Sequence, residues 1–164
     1  MTKESFGWIF LLFLCAVYDA QGQSVQRFDN NPNSPILQGV EIPAGKRWVH
    51  TSGIVAAVAD STAAPGTRQR FGDTYTQSIS ILKRIEGILK QADMDLSNVV
   101  FLRVYIAPDP YKGNQPDYNG WFEAYKLFFN HANNPIKVAR STLGVHSLVS
   151  ADYLIEIEAI AVEK

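Results

Sequence analysis

From Lys137 to Val162 the chain reads KVARSTLGVHSLVSADYLIEIEAIAV. Most of this stretch is Val, Leu, Ile and Ala, the material of a sheet core, yet it carries Arg140, Glu156 and Glu158. A guanidinium is a planar fork that can hold a carboxylate through two parallel hydrogen bonds. A carboxylate that takes up and returns a proton is a general acid–base. Strand alternation puts Ile155, Ile157, Ala159 and Ala161 on one face, and Leu154, Glu156, Glu158, Ile160 and Val162 on the other. Two readings of the charges stand side by side. In one, the glutamates sit on a solvent-facing sheet surface or pair with Arg103 or Lys137 on neighbouring strands. In the other, they line a pocket at a subunit boundary and Arg140 anchors a ligand carboxylate, because a buried Arg–carboxylate group is costly to keep for stability alone. Residue type does not separate the two readings for Arg140.

Other chemistry is sparse. His50, His131 and His146 are far apart and none has metal-ligand spacing, so each reads as a surface or sheet-edge histidine and no metal site is expected. The chain has no GxGxxG, GxxxxGK[ST] or GxSxG motif, and no cofactor is expected. Ser52, in HTSGI, has no paired base in its vicinity and makes a poor triad nucleophile.

The elements that must position these residues follow from periodicity. Ile36 to Ile42 reads as a short strand, Pro43 to Lys46 as a turn and Arg47 to Val58 as a second strand, together a hairpin. Thr67 to Ala92 is the clearest helix, with Tyr75, Ile79, Leu82, Ile85 and Leu89 in a stripe that Ile81 and Ile88 widen. Val99 to Ile106 is a strong strand. Tyr118 to Asn130 is a second helix with a broad aromatic face of Trp121, Phe122, Tyr125, Phe128 and Phe129. Two strands close the chain, about Val138 to Val145 and Tyr153 to Val162. The order β-β-α-β-α-β-β predicts an α+β fold with the helices on one face of a mixed sheet.

At 164 residues the chain is one domain's worth, 46% hydrophobic and 19% charged, as globular proteins are. The first residues are set apart: one Lys near the start, an apolar run from Phe6 to Val17, then Ala20 and Gly22 at −3 and −1 of a cut before Gln23. This is the pattern of a secretory signal peptide, and the run is short for a membrane span. The organisation expected is a signal peptide at 1–22, a polar leader at 23–34 and one domain at 35–164, located in the periplasm or outside the cell. The only cysteine, Cys15, would leave with the peptide, excluding disulfide and thiol chemistry from the mature chain. Of 15 basic and 16 acidic residues, cleavage removes Lys3 and, on the other side, Glu4 and Asp19, leaving 14 of each. That balance offers no field for nucleic acid, and no membrane association is expected after cleavage.

The text ARSTLGV…LIEIEAIAV resembles the C-terminal signature of the RidA (YjgF-like) family of reactive-intermediate deaminases. SPILQGV, HTSGI, ILKRIEGILKQA and SNVVFLRVYI fall in the order which that family shows, so the resemblance runs from about Pro35 to Val162. It implies a chorismate-mutase-like α+β subunit and a homotrimer with a cleft at each subunit interface. It further implies hydrolysis of short-lived enamines and imines, such as 2-aminoacrylate, to 2-keto acids and ammonia. Carried over to this chain, Arg140 would hold the substrate carboxylate and Glu156 would position a water. Ser52 and Gly53 match the turn that lines the cleft. The chain departs from the pattern where the family's cleft Tyr is Ile36, a frequent Gln is Ile54 and a Cys is Thr142. An Asn that commonly begins the second helix has Phe122 as its nearest position. The pocket is thus expected to be more apolar than usual.

Readings from other classes remain beside the hydrolase. A non-catalytic trimer could use Arg140 to hold a small carboxylate metabolite. Ribonuclease activity, sometimes attached to the family, is disfavoured by the charge balance. Chorismate mutase rests on fold analogy alone.

Overall fold

The structure is a computed structural model that describes residues 24–164; the expected signal peptide and Cys15 lie outside the described residues. In chain order the elements are β1 (Gln26–Phe28), β2 (Gly39–Glu41), β3 (Trp48–His50), α1 (Arg68–Phe71), α2 (Thr74–Lys90), β4 (Val99–Ile106), β5 (Pro108–Asp109), β6 (Gln115–Pro116), α3 (Tyr118–Lys126), β7 (Ala139–Gly144) and β8 (Ile155–Val162). The main sheet runs β3-β8-β4-β7. β8 is antiparallel to both β3 and β4, and β7 is parallel to β4. This is the mixed sheet of an α+β fold.

Leu102, Val104, Ile106, Ile155, Ile157, Ala159 and Ala161 line the helix-covered face and are essentially fully buried. Against them pack Ile81, Leu82, Ile85 and Leu89 of α2, and Trp121 and Tyr125 of α3. Each such aliphatic side chain contributes roughly 1.5–3 kcal/mol when taken out of water. Tyr75, expected in the stripe of α2, is instead exposed, and Gln77 and Ser78 are buried. The buried face is therefore rotated from the one that hydrophobicity alone selects, because Gln77 satisfies its amide against the backbone. Its side chain donates to the carbonyl of Asp152 at 2.9 Å and accepts from the N–H of Leu154 at 2.9 Å.

The predicted first helix is broken in two. Gly72 takes φ +81°, open to glycine at little cost, and Asp73 then caps α2 by accepting from the Thr76 N–H at 2.8 Å. α3 stops at Lys126, short of the predicted end, and turns continue to Asn130, whose φ is +56°. The predicted hairpin does not form. β2 pairs with β1, inside the segment expected as an extended leader, and β3 pairs with β8. Beyond His50 the predicted long strand is irregular, touching β8 through Thr51 and through a single bridge from Ile54 to Ile157. No helix among the described residues is long and apolar enough to cross a membrane.

Candidate active site

Arg140 lies on β7, an edge strand of the main sheet. Its ladder partner is Leu102, so its side chain points to the helix-covered face. The guanidinium carbon sits 4.3 Å from the centre of the Tyr125 ring, 5.1 Å from Phe122 and 5.7 Å from Trp121. Burial lowers its pKa from the ordinary arginine value, with Tyr125 acting in the opposite sense. Among the described residues no carboxylate pairs with it, and its Nη1 is buried without a hydrogen-bond partner. A cavity of about 340 Å³ opens beside it, lined by Pro35, Asn119, Phe122, Glu123, Tyr125 and Lys126. A half-buried cation stacked on aromatic rings, with one N–H unsatisfied and a cavity in front of it, is an arrangement suited to an anion that the described residues do not supply.

Glu156 is elsewhere. Its ladder partner is Tyr105, three residues beyond Leu102, so it stands on the face of the sheet that no helix covers. Phe101, Arg103, Glu158 and Ile160 share that face by register. Arg103 donates to Glu158 at 2.7 Å, so the ion-pair reading holds for Glu158, and the Tyr105 hydroxyl stands 3.4 Å from the same carboxylate. Lys137 pairs with Asp29 at 2.8 Å rather than with a glutamate. Glu156 has no ion-pair partner among the described residues. A cavity of about 530 Å³ lies over it, lined by Tyr105, Val145, Ser147, Leu148, Val149 and Glu158.

The residues singled out in the sequence thus fall into two groups. Gly53 backs directly onto Glu156: a β-carbon at position 53 would overlap the carboxylate. Ser52 is exposed beside it. Thr142 follows Arg140 on the helix-covered face, its buried hydroxyl also without a partner. Ile36 is half-buried next to the Arg140 cavity, but the wall there is Pro35, whose carbonyl accepts from the Tyr125 hydroxyl at 3.1 Å. Of the apolar replacements, Phe122 lines the cavity beside Arg140, and Ile54 is half-buried against the core.

Asn119, which sequence reasoning did not single out, also lines the Arg140 cavity. It is the second residue of α3, after the N-cap Asp117, which accepts from Gly120 N–H at 3.1 Å. The Asp–x–Asn–Gly run was the available signal: it starts the helix at Tyr118 and turns Asn119 toward Arg140. Of the three histidines, His50 is exposed on edge strand β3, with its ring 6.3 Å from that of Trp48. Among the described residues no cluster of three metal-ligating side chains occurs.

Comparison with known proteins gives a consistent picture. Residues 34–163 match the family model described as endoribonuclease L-PSP. No curated protein matches. Among solved structures, YyfB from Yersinia pestis, a protein of unknown function of the conserved Rid family, is 27% identical, with 84% of this chain and 98% of that chain covered and a TM-score of 0.60. TdcF from E. coli, solved with bound serine, is 27% identical over 80% of this chain and 90% of its own, with a TM-score of 0.54. The YjgF gene product from E. coli is 26% identical over 80% and 91%, with a TM-score of 0.55.

Proposed function

We propose, since the chain belongs to the Rid (YjgF) family, that it hydrolyses the imine and enamine forms of 2-amino acids to 2-keto acids and ammonia. The observation that carries this reading is the unpartnered, aromatic-walled guanidinium of Arg140 facing a cavity. A substrate carboxylate would satisfy Nη1 and be held bidentately, which orients the imine carbon. The serine bound to the relative TdcF is likewise a small molecule with a carboxylate.

One subunit does not complete the site. Arg140 and Glu156 project from opposite faces of one sheet, with β7 at its edge. The site is closed when the uncovered face of a second copy, with its Ser52, Gly53 and Glu156, meets the Arg140 edge of the first. Three copies related by rotation would each supply both halves. On the uncovered sheet face Phe101 and Ile160 stay half-buried beside the charged pairs, and Val149 at its rim is 88% exposed; apolar side chains left open there favour a partner surface.

In the reaction, the imine nitrogen is protonated and water adds to the carbon. The carbinolamine then collapses, the C–N bond breaks, and ammonia leaves as the C=O forms. Glu156 would orient the water, accept its proton and return it to the departing nitrogen. Glu158 is occupied by Arg103 and is not needed. Phe122 in the cavity wall favours a second reading, a trimer that binds a carboxylate metabolite without turning it over. The family description names a ribonuclease, but the balanced charge gives no field for a polyanion.

The test is to generate a 2-imino acid in place with an amino-acid oxidase and follow keto-acid release. Acceleration by the wild-type protein that disappears in Glu156→Gln supports hydrolysis. Binding of a keto acid without acceleration supports the second reading. Equal acceleration by both proteins overturns the role of Glu156.

A further inference from the structure

The segment before residue 34 lies outside the family match, yet Arg27 in β1 is built into the fold. Its Nη1 donates to the carbonyls of Val99 at 3.1 Å and Lys137 at 3.0 Å, and its Nη2 to those of Val99 at 3.1 Å and Ser97 at 3.3 Å. These carbonyls converge for a reason. The β4–β7 ladder has its first rung at Phe101 and Ala139, and β4 is irregular between Val99 and Phe101. Below that rung β4 keeps β8 beside it but has no ladder partner on the β7 side, and there a forked cation donates to the carbonyls of both segments. Burial lowers the pKa of Arg27 from the ordinary arginine value, with Tyr125 opposing.

Lys137, whose carbonyl Arg27 holds, ties the same segment from the other side. Its Nζ donates to Asp29 Oδ2 at 2.8 Å and to the Pro32 carbonyl at 3.1 Å. The Leu37 N–H then donates to the Val138 carbonyl at 3.1 Å, and the Tyr125 hydroxyl to that of Pro35. Residues 27–37 are thus sewn to the two residues that lead into β7 and to the ring under Arg140, and Pro35 becomes a wall of the Arg140 cavity.

We infer that Arg27 is a positioning residue for this site: by clamping the start of β7 to β4 it sets where Arg140 and its Pro35–Tyr125 wall stand. The consequence for ligand binding rests on the proposed function, whereas the clamp itself does not. The experiment uses the assembled protein, Arg27→Met and Arg27→Lys, with pyruvate as the carboxylate probe in calorimetry and hydrogen exchange read by peptide. In Arg27→Met, pyruvate binding should weaken about tenfold, as for a site displaced by a fraction of an ångström. Exchange should quicken in residues 137–142 and stay as in wild type across α2. Arg27→Lys should recover part of both, since an ammonium donates to carbonyls but does not span two strands. Wild-type protein that ignores pyruvate, while residues 137–142 still loosen in Arg27→Met, would remove the carboxylate-site reading and leave the clamp standing. Unchanged exchange at 137–142, or an equal rise throughout α2, would overturn the inference, as would unchanged pyruvate affinity with those residues loosened.

Discussion

Replacing Arg140 by Met separates a binding residue from a structural one, because the two roles predict opposite effects on stability. A structural arginine would leave a buried carboxylate behind when removed, at a cost of about 3–5 kcal/mol. Among the described residues Arg140 has no such partner. Its favourable contacts are with Tyr125 at 4.3 Å, Phe122 at 5.1 Å and Trp121 at 5.7 Å, together worth about 0.5–2 kcal/mol. Against them stands the buried Nη1 without a partner, a penalty of about 1–3 kcal/mol. Methionine keeps contact with the aromatic rings and carries no charge to desolvate. Arg140→Met should therefore stay between about 1 kcal/mol less and about 2.5 kcal/mol more stable than wild type in denaturant unfolding, measured at fixed protein concentration so that assembly is held constant. The same change removes a charge-assisted contact to the ligand, a loss of about 2–5 kcal/mol. That corresponds to a fall in kcat/KM or keto-acid affinity of roughly 30- to 4000-fold. A loss of 3 kcal/mol or more in stability, with turnover per folded site unchanged, would refute the reasoning and make Arg140 a structural residue.

Arg140→Lys should not rescue activity, because it keeps the charge and loses the planar fork; a lysine variant within twofold of wild type in kcat/KM would argue against bidentate binding. Gly53→Ala should push the Glu156 carboxylate from its place and lower kcat by about tenfold or more with keto-acid affinity kept, a split visible in steady-state kinetics beside calorimetry. Light scattering at micromolar concentration should report three copies, and a stable monomer would leave the Arg140 and Glu156 halves unjoined. Asp95 caps the turn at Leu96–Asn98, and its hydrogen bond from the Ser97 side chain holds its pKa below the ordinary carboxylate value. Its contribution to stability should be complete above the ordinary carboxylate range and fade as the pH falls through the lowered pKa; thermal melts of Asp95→Asn against wild type should therefore converge in acid.

Much of the fold was legible because single segments carry it. Val99–Ile106 reads as a strand from β-branched and aromatic residues and forms at those bounds. The alternation in Ile155–Val162 separates the buried Ile155, Ile157, Ala159 and Ala161 from the outward Glu156 and Glu158, and the register confirms it. What the pattern lacks is pairing. Pro43 to Lys46 is good turn text, and a hairpin was the local solution; the structure prefers β1 against β2 and β3 against β8. Contacts distant in sequence carry the difference: Arg27 reads as one polar residue in a polar leader, yet its guanidinium bonds the carbonyls of Ser97, Val99 and Lys137.

The same limit governs the site. Residue types singled out Arg140 and Glu156, and the aromatic face of α3 was visible, but the faces from which they project depend on the ladder. Arg140 stands opposite Leu102 and Glu156 opposite Tyr105. An offset of three residues along β4 is an odd number, so the two side chains must point to opposite sides of the sheet. That parity turns two charged residues on neighbouring pieces of one motif into halves of two different surfaces. The odd offset of their partners on β4 is the structural reason to test for the chemistry where one copy's edge meets the uncovered face of the next.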